Sequence, residues 1–235
     1  MRTDVPDADA VPGERGRSRS QTVSLVIVAL IAVLAGILIG RISDREQSST
    51  PEPGSVDVGF AQDMSVHHAQ AVEMSGLALT RSGAPEIRSL AYDVVTSQQS
   101  QIGTMQGWLR MWNRPAIDAE TSMRWMPPTG EGHSMGSAPT EPAAARMPGM
   151  ASPDELRTLR QASGTEFDAL YLQLLLRHHE GGIPMAEYAR GNAVTAIVRE
   201  FADRVAQTQT AESQSLRQLL EARGRPPLPL DQPHR

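Results

Sequence analysis

The 235-residue chain contains no cysteine. Disulfides, thiolate metal sites, cysteine nucleophiles and a lipid-modified N-terminal cysteine are thereby excluded together. Lysine is absent too, so all 22 basic side chains are arginines; no functional conclusion follows from that. Aromatics make up only 4% of the residues while methionine occurs 11 times, so any core has to be aliphatic and methionine-rich. Nor is there an excess of positive charge. The formal net charge of −5 gives no general attraction to nucleic acid. No hydrolase triad, phosphate loop or nucleic-acid motif is visible.

What is present begins with an uncharged stretch, TVSLVIVALIAVLAGILIG, at residues 22–40. A bilayer-spanning helix needs about 20 apolar residues. Arg15, Arg17 and Arg19 precede the run, whereas Arg41 and Arg45 after it are balanced by Asp44 and Glu46. The positive-inside rule then places the N-terminus in the cytoplasm and the rest of the chain outside. The expected organisation is a disordered cytoplasmic tail (1–21), a transmembrane signal anchor (22–41), a polar linker (42–55), an extracytoplasmic helical domain (56–223) and a Pro-rich tail (224–235). The apolar run is long for a signal-peptide core, and no small-x-small cleavage site stands out. A cleaved signal is the alternative.

The outer part repeats itself. At a constant offset of 111 residues, His67 falls on His178, Met74 on Met185, Ala78 on Ala189 and Arg88 on Arg199. Ala91 falls on Ala202, Val94 on Val205, Gln98 on Gln209 and Pro115 on Pro226. Each copy reads as two helices with inward residues stepping by three and four. The stripes are Phe60, Met64, His67, Ala71, Met74, Ala78, and Ile87, Ala91, Val94, Gln98, Gln101, Met105, Trp108, Trp112. In the second copy they are Tyr171, Leu175, His178, Gly182, Met185, Ala189, and Val198, Ala202, Val205, Gln209, Glu212, Leu216, Leu219. Ser152–Glu155 and Ser163–Glu166 both carry capping-box spacing, which predicts a short helix at about 153–162 before the third long one. A duplicated helical hairpin gives an all-α four-helix bundle.

Both copies put adjacent histidines inside an apolar run. Folding the hairpins back near residues 83 and 194 sets His67 level with Gln98 and Gln101, and His178 level with Gln209 and Glu212. His68 and His179 lie about 100° around the helix, at the edge of the stripe. A buried polar layer is costly unless its hydrogen bonds are satisfied. In one reading the layer is a hydrogen-bond network that fixes the bundle's register. In the other, imidazole and thioether groups, including Met64, Met74 and Met185, bind a metal; imidazole suits Zn, Cu, Fe and Ni, and thioether selects Cu(I). Pro184, following Gly181 and Gly182, predicts a kink in the third long helix.

Residues 116–151 connect the copies through a Pro/Gly-rich loop that holds Met123, Met126, Met135, Met147, Met150 and His133. Its prolines rule out a packed helix, so these thioethers read either as Cu(I) ligands or as a hydrophobic flap over the bundle anchored by Trp125.

The segments FAQDMSVHHAQAVEM, SQQSQIGTMQGWL and MPGMASPDELRTLRQASGTEFDALYLQLLLRHHEGGIPMAEYA together resemble the family catalogued as domain of unknown function 305, over about residues 56–223. The resemblance implies a ferritin-like helical bundle and an exported protein; some members are associated with copper binding and copper tolerance. It matches His67, His68, Met74, His178, His179 and Met185 to family motif positions. Glu73 and Pro184 differ at matching repeat positions, as do Gln101 and Glu212, so the halves need not bind alike.

The leading expectation is thus a membrane-anchored extracytoplasmic protein that sequesters copper, as Cu(I) or Cu(II), or hands it to a metal-transfer partner. The alternative is a non-catalytic structural or interaction module. A di-iron enzyme needs Glu-x-x-His pairs and several inward carboxylates. No glutamate lies three residues before any of the four histidines, and Glu212 is the only acid on the inward stripes.

Overall fold

The structure is a computed structural model and describes residues 28, 30–37, 50–127 and 147–230. The chain divides into two compact units, Met1–Thr50 and Pro51–Arg235. In the first, residues 30–37 are helical, and Val28, Leu30, Ile31, Val33, Leu34 and Ile37 are exposed. Among the described residues no helix is long and apolar enough to cross a membrane. Most of the span expected at 22–41 lies outside the described residues, as do the tail at 1–21, residues 42–49, His133, Met135 and residues 231–235.

The second unit is helical, with no strand among the described residues. Its helices are α1 (Val56–Arg81), α2 (Pro85–Met111), α3 (Pro153–Gln161), α4 (Gly164–Asn192) and α5 (Ala196–Glu221). Local chemistry accounts for their starts. Ser55 caps α1 through Val58 N, and Pro85 opens α2 where no backbone donor is needed. The capping box expected before α3 forms: Glu155 N donates to Ser152 Oγ (3.2 Å) and Ser152 N to Glu155 Oε2 (2.7 Å). The one expected at Ser163 does not. Gly164 takes a left-handed φ of 57°, Ser163 makes no side-chain cap, and Glu166 is engaged by Arg225 instead.

α1 packs on α2, α4 on α5, and the two hairpins meet along α1 and α4. The inward stripes are buried as the spacing predicts, except that Gln101 and Glu212 are half-buried and Leu220 rather than the half-buried Leu219 closes the last turn of α5. The core is divided in two. One apolar cluster holds Phe60 and Met64 of α1, Met105 and Trp108 of α2, Met185 and Ala189 of α4, and Val198, Phe201 and Val205 of α5. The other holds Ala71, Met74 and Ala78, then Ile87, Ala91 and Val94, then Tyr171 to Leu176, then Leu216 and Leu220. Residues that follow His67 on α1 share a cluster with residues that precede His178 on α4. The two helices therefore run antiparallel, and the repeat relates the hairpins by a pseudo-twofold axis through the level of these histidines.

The ends of the hairpins show where the copies have diverged. Buried Asp57 accepts from Val194 N (2.8 Å), Thr195 N (2.9 Å) and Thr195 Oγ1 (2.6 Å), tying the start of α1 to the turn before α5. The same offset maps Asp57 to Asp168 and that turn to Gly83 and Ala84. There, Ser82 Oγ accepts from Ala84 N (3.2 Å), and buried Asp168 Oδ1 has no hydrogen-bond partner among the described residues. Arg88 and Arg199 keep the symmetry, each donating to the carbonyl six residues before it (Ser82 and Ala193, 2.9 Å). Asp57→Ala removes three charge-assisted bonds and is expected to cost about 3 kcal/mol of unfolding free energy. The isosteric Asp168→Asn should cost less than 1 kcal/mol, or stabilise. Urea denaturation of the two variants checks this, and equal losses would contradict the asymmetry.

Candidate metal centre

Between the two apolar clusters, each long helix contributes polar residues at the same level: His67 and His68 from α1, Gln98 and Gln101 from α2, His178 and His179 from α4, and Gln209, Glu212 and Ser213 from α5. All four histidines are 0% exposed. His68 and His179, expected at the edge of the stripe, are as deep as the inner pair. The level expected from hairpin geometry is met, but the direct partners of Gln101 and Glu212 are these second histidines. His68 Nε2 donates to Gln101 Oε1 (2.7 Å) and His179 Nε2 to Glu212 Oε2 (2.6 Å). The inner pair bonds to backbone: His67 Nε2 donates to Pro148 O (3.1 Å) and His178 Nε2 to His67 O (2.9 Å). Their rings lie face to face across the pseudo-twofold, with centroids 3.8 Å apart and planes tilted by 35°.

These partners fix the tautomers. A carbonyl or carboxylate only accepts, so Nε2 carries the proton and Nδ1 of a neutral ring keeps its lone pair. All four Nδ1 atoms are buried and have no hydrogen-bond partner among the described residues, and neither side-chain polar atom of Gln98 or Gln209 has one. Burial favours the neutral form of three of the rings: desolvation lowers His67 to about 4 and His68 to about 3, and takes His178 well below 6.5, all three also lowered by neighbouring imidazoles. A neutral imidazole whose distal N–H is given to a carbonyl or carboxylate is the state in which histidine ligates metals.

The coordination this offers is low. Among the described residues no three His, Asp or Glu side chains come together as a ready metal cage. The close pair, His67 and His178, suits an ion content with two soft or borderline donors, such as Cu(I). Met64 and Met185 are buried in one apolar cluster and Met74 in the other, so the three thioethers flank the layer while filling the core. Gly182 makes the close approach possible. A Cβ there would lie 2.5 Å from Gln209 Oε1 and 3.0 Å from His67 Cε1.

Of the two readings of the connecting loop, its described ends have the packing of a hydrophobic flap. Met126, Met147 and Met150 are buried, and Met123 is partly buried against the first apolar cluster. Prolines prevent a helix there but not packing. Trp125 Nε1 and Met123 N both donate to Asp63 Oδ2 (2.7 Å), and the indole lies so close to α1 that a Cβ on Gly59 would come within 2.3 Å of it. This end is the flap anchored by Trp125. At the other end, residues 147–151 cross the histidine layer, where Pro148 meets His67. Sequence reasoning missed Pro148, which meets His67, and missed Gln70, Glu155 and Arg177, which fasten residues 147–151 and lie outside the donor set. Only Arg177 carried a signal, being a charge inside LLLRHH that is 3% exposed and paired bidentately with Glu155 (2.8 and 2.7 Å).

Comparison with known proteins agrees with this architecture. No curated relative matches the chain. A DUF305 protein from Streptomyces coelicolor, inferred to be secreted, is 35% identical with a TM-score of 0.65, covering 75% of this chain and 98% of its own. A DUF305 fragment from Deinococcus radiodurans is 29% identical with a TM-score of 0.57, covering 71% and 96%. CopM in its Cu(II)-bound form shares the fold at 24% identity and a TM-score of 0.53, covering 71% and 96%. The sequence profile of the domain of unknown function (DUF305) matches residues 57–220, and the chain belongs to that family.

Proposed function

We propose that this protein binds copper outside the cytoplasm, held to the membrane by residues 22–41, and sequesters the ion or hands it on. The observation that carries the reading is the buried layer of four histidines, each with Nε2 engaged at its partner and Nδ1 without a hydrogen-bond partner among the described residues. Leaving such groups unmatched costs about 1–3 kcal/mol each, which a bound ion would offset. Structures of CopM with Cu(II), Cu(I) and silver give the fold a precedent with these metals. The relative inferred to be secreted supports an extracytoplasmic setting. His67 and His178 are the inner donors, with His68 and His179 beside them. Met64, Met74 and Met185 flank the layer, and Met123, Met126, His133, Met135, Met147 and Met150 belong to the loop. The test is anaerobic titration of the full chain with Cu(I) against a competing chelator. Absence of binding leaves the second reading, a structural module whose layer is a hydrogen-bond network; the four Nε2 bonds favour that one.

Topology has its own check. A reporter fused after residue 45 should be active only outside the cytoplasm, and activity inside the cell would overturn the anchor's orientation.

A further inference from the structure

The four histidine rings are buried, and among the described residues the segment 147–151 meets the layer at His67. Residues 147–151 lie across α1 and α4 at that level in close backbone contact. A Cβ on Gly181 would come within 2.2 Å of Pro148 O, and one on Gly149 within 2.3 Å of Arg177 O. Gly149 holds a φ of 76°, which turns Pro148 O toward His67. The segment is fastened at one edge by a side-chain amide acting as a strand would: Gln70 Nε2 donates to Ala151 O (2.9 Å) and Ala151 N to Gln70 Oε1 (2.6 Å). At the other edge buried Arg177 clasps Glu155, at the head of α3, and reaches Met150 O (3.4 Å). Met147 and Met150 are buried, yet neither belongs to the two apolar clusters of the bundle. Their burial comes from the position of the strap, and it is lost if the strap lifts.

We infer that residues 147–151 are the door to the histidine layer. Gln70 and the Glu155–Arg177 pair are its two latches, and a soft monovalent cation passes when the strap lifts with Met147 and Met150 as its thioether carriers. The inference rests on the copper reading above and adds the route and its control. No ligand of the layer has to be protonated or lost for the ion to pass, because the strap gives His67 only a carbonyl.

The test uses the full chain with Cu(I) or Ag(I), timing uptake and release against a chelator by stopped flow. Amide exchange at Ala151 is measured in parallel. Gln70→Ala opens one latch without touching a histidine. Losing these two hydrogen bonds should raise local opening, and with it both rates, roughly tenfold or more while the equilibrium affinity stays near wild type. Glu155→Gln provides a second variant that weakens the other latch and keeps the capping acceptor. Faster Ala151 exchange with unchanged ion rates would overturn the door, because the ion would then use another route. Unchanged exchange in both variants would overturn the latches. If wild-type protein takes up neither ion, the copper reading itself fails, an outcome distinct from a binding protein whose rates ignore the strap.

Discussion

On the proposed copper reading, His67→Ala combined with His178→Ala is expected to lower the affinity for Cu(I) on the order of 100-fold or more, while His68→Ala with His179→Ala should lower it less. The inner pair sits ring to ring on the pseudo-twofold, each ring oriented by a backbone carbonyl that no side-chain substitution removes. The outer pair is oriented by side chains, Gln101 and Glu212. Removing the close pair leaves His68 and His179 in the layer, but their rings are held by Gln101 and Glu212 on separate hairpins and do not form the close pair, and the remaining amides and hydroxyl suit Cu(I) poorly. Truncation also makes a cavity between the apolar clusters, so each variant needs a denaturation midpoint beside its affinity. Competition with a Cu(I) chelator gives the measurement. A folded inner-pair variant that binds as tightly as wild type would show that the layer is structural and that any copper sits elsewhere, the loop thioethers being the remaining donors.

The second large effect is on stability without metal. An imidazole titrates near 6.5 in the unfolded chain, but burial pushes His67 to about 4 and His68 to about 3 in the folded one. Below pH 6.5 the unfolded chain therefore takes up protons that the folded chain refuses. Stability is full above about 6.5 and falls as the pH drops toward 4. Each unit of pH across that window is worth 1.36 kcal/mol per group. Moving from pH 7.5 to 5.0 should then cost about 2 kcal/mol for each of these two histidines, ~4 kcal/mol together. His178, also pushed down, acts in the same direction. The groups facing the layer are His179 with Glu212, and Arg177 with Glu155 at its rim; both carboxylates are engaged, and neither is an unpaired anion that would reverse the sign. Against a typical domain stability of 5–15 kcal/mol this is a large fraction. Guanidinium denaturation of the apo protein at the two pH values reads it directly. Equal midpoints would mean that the layer admits water and protons freely, contrary to its burial.

Much of this was written in the linear pattern. The 3–4 spacing fixes which face of each helix is inward, whatever it packs against, and the 111-residue offset declares that two hairpins are built alike. Together they determined the helices, the stripes and the common level of the histidines and glutamines, because helix geometry converts sequence distance into height. Three things depended on neighbours. The burial of His68 and His179 depends on the packing of the two hairpins around the layer, with each ring held by the partner helix of its own hairpin. Residues 100° off a stripe are at its edge in one hairpin but interior between two. The fate of Met123, Met126, Met147 and Met150 was hidden because a Pro-rich segment has no period from which to read a buried face. And the state of each imidazole was set by acceptors remote in sequence. Pro148 O stands 81 residues from His67, and His67 O stands 111 from His178. The sequence by itself determined that four histidines would share one level of the bundle; only the tertiary structure decided that all four are buried, and which nitrogen of each is engaged and which is left without a partner, since that depends on where distant carbonyls come to rest.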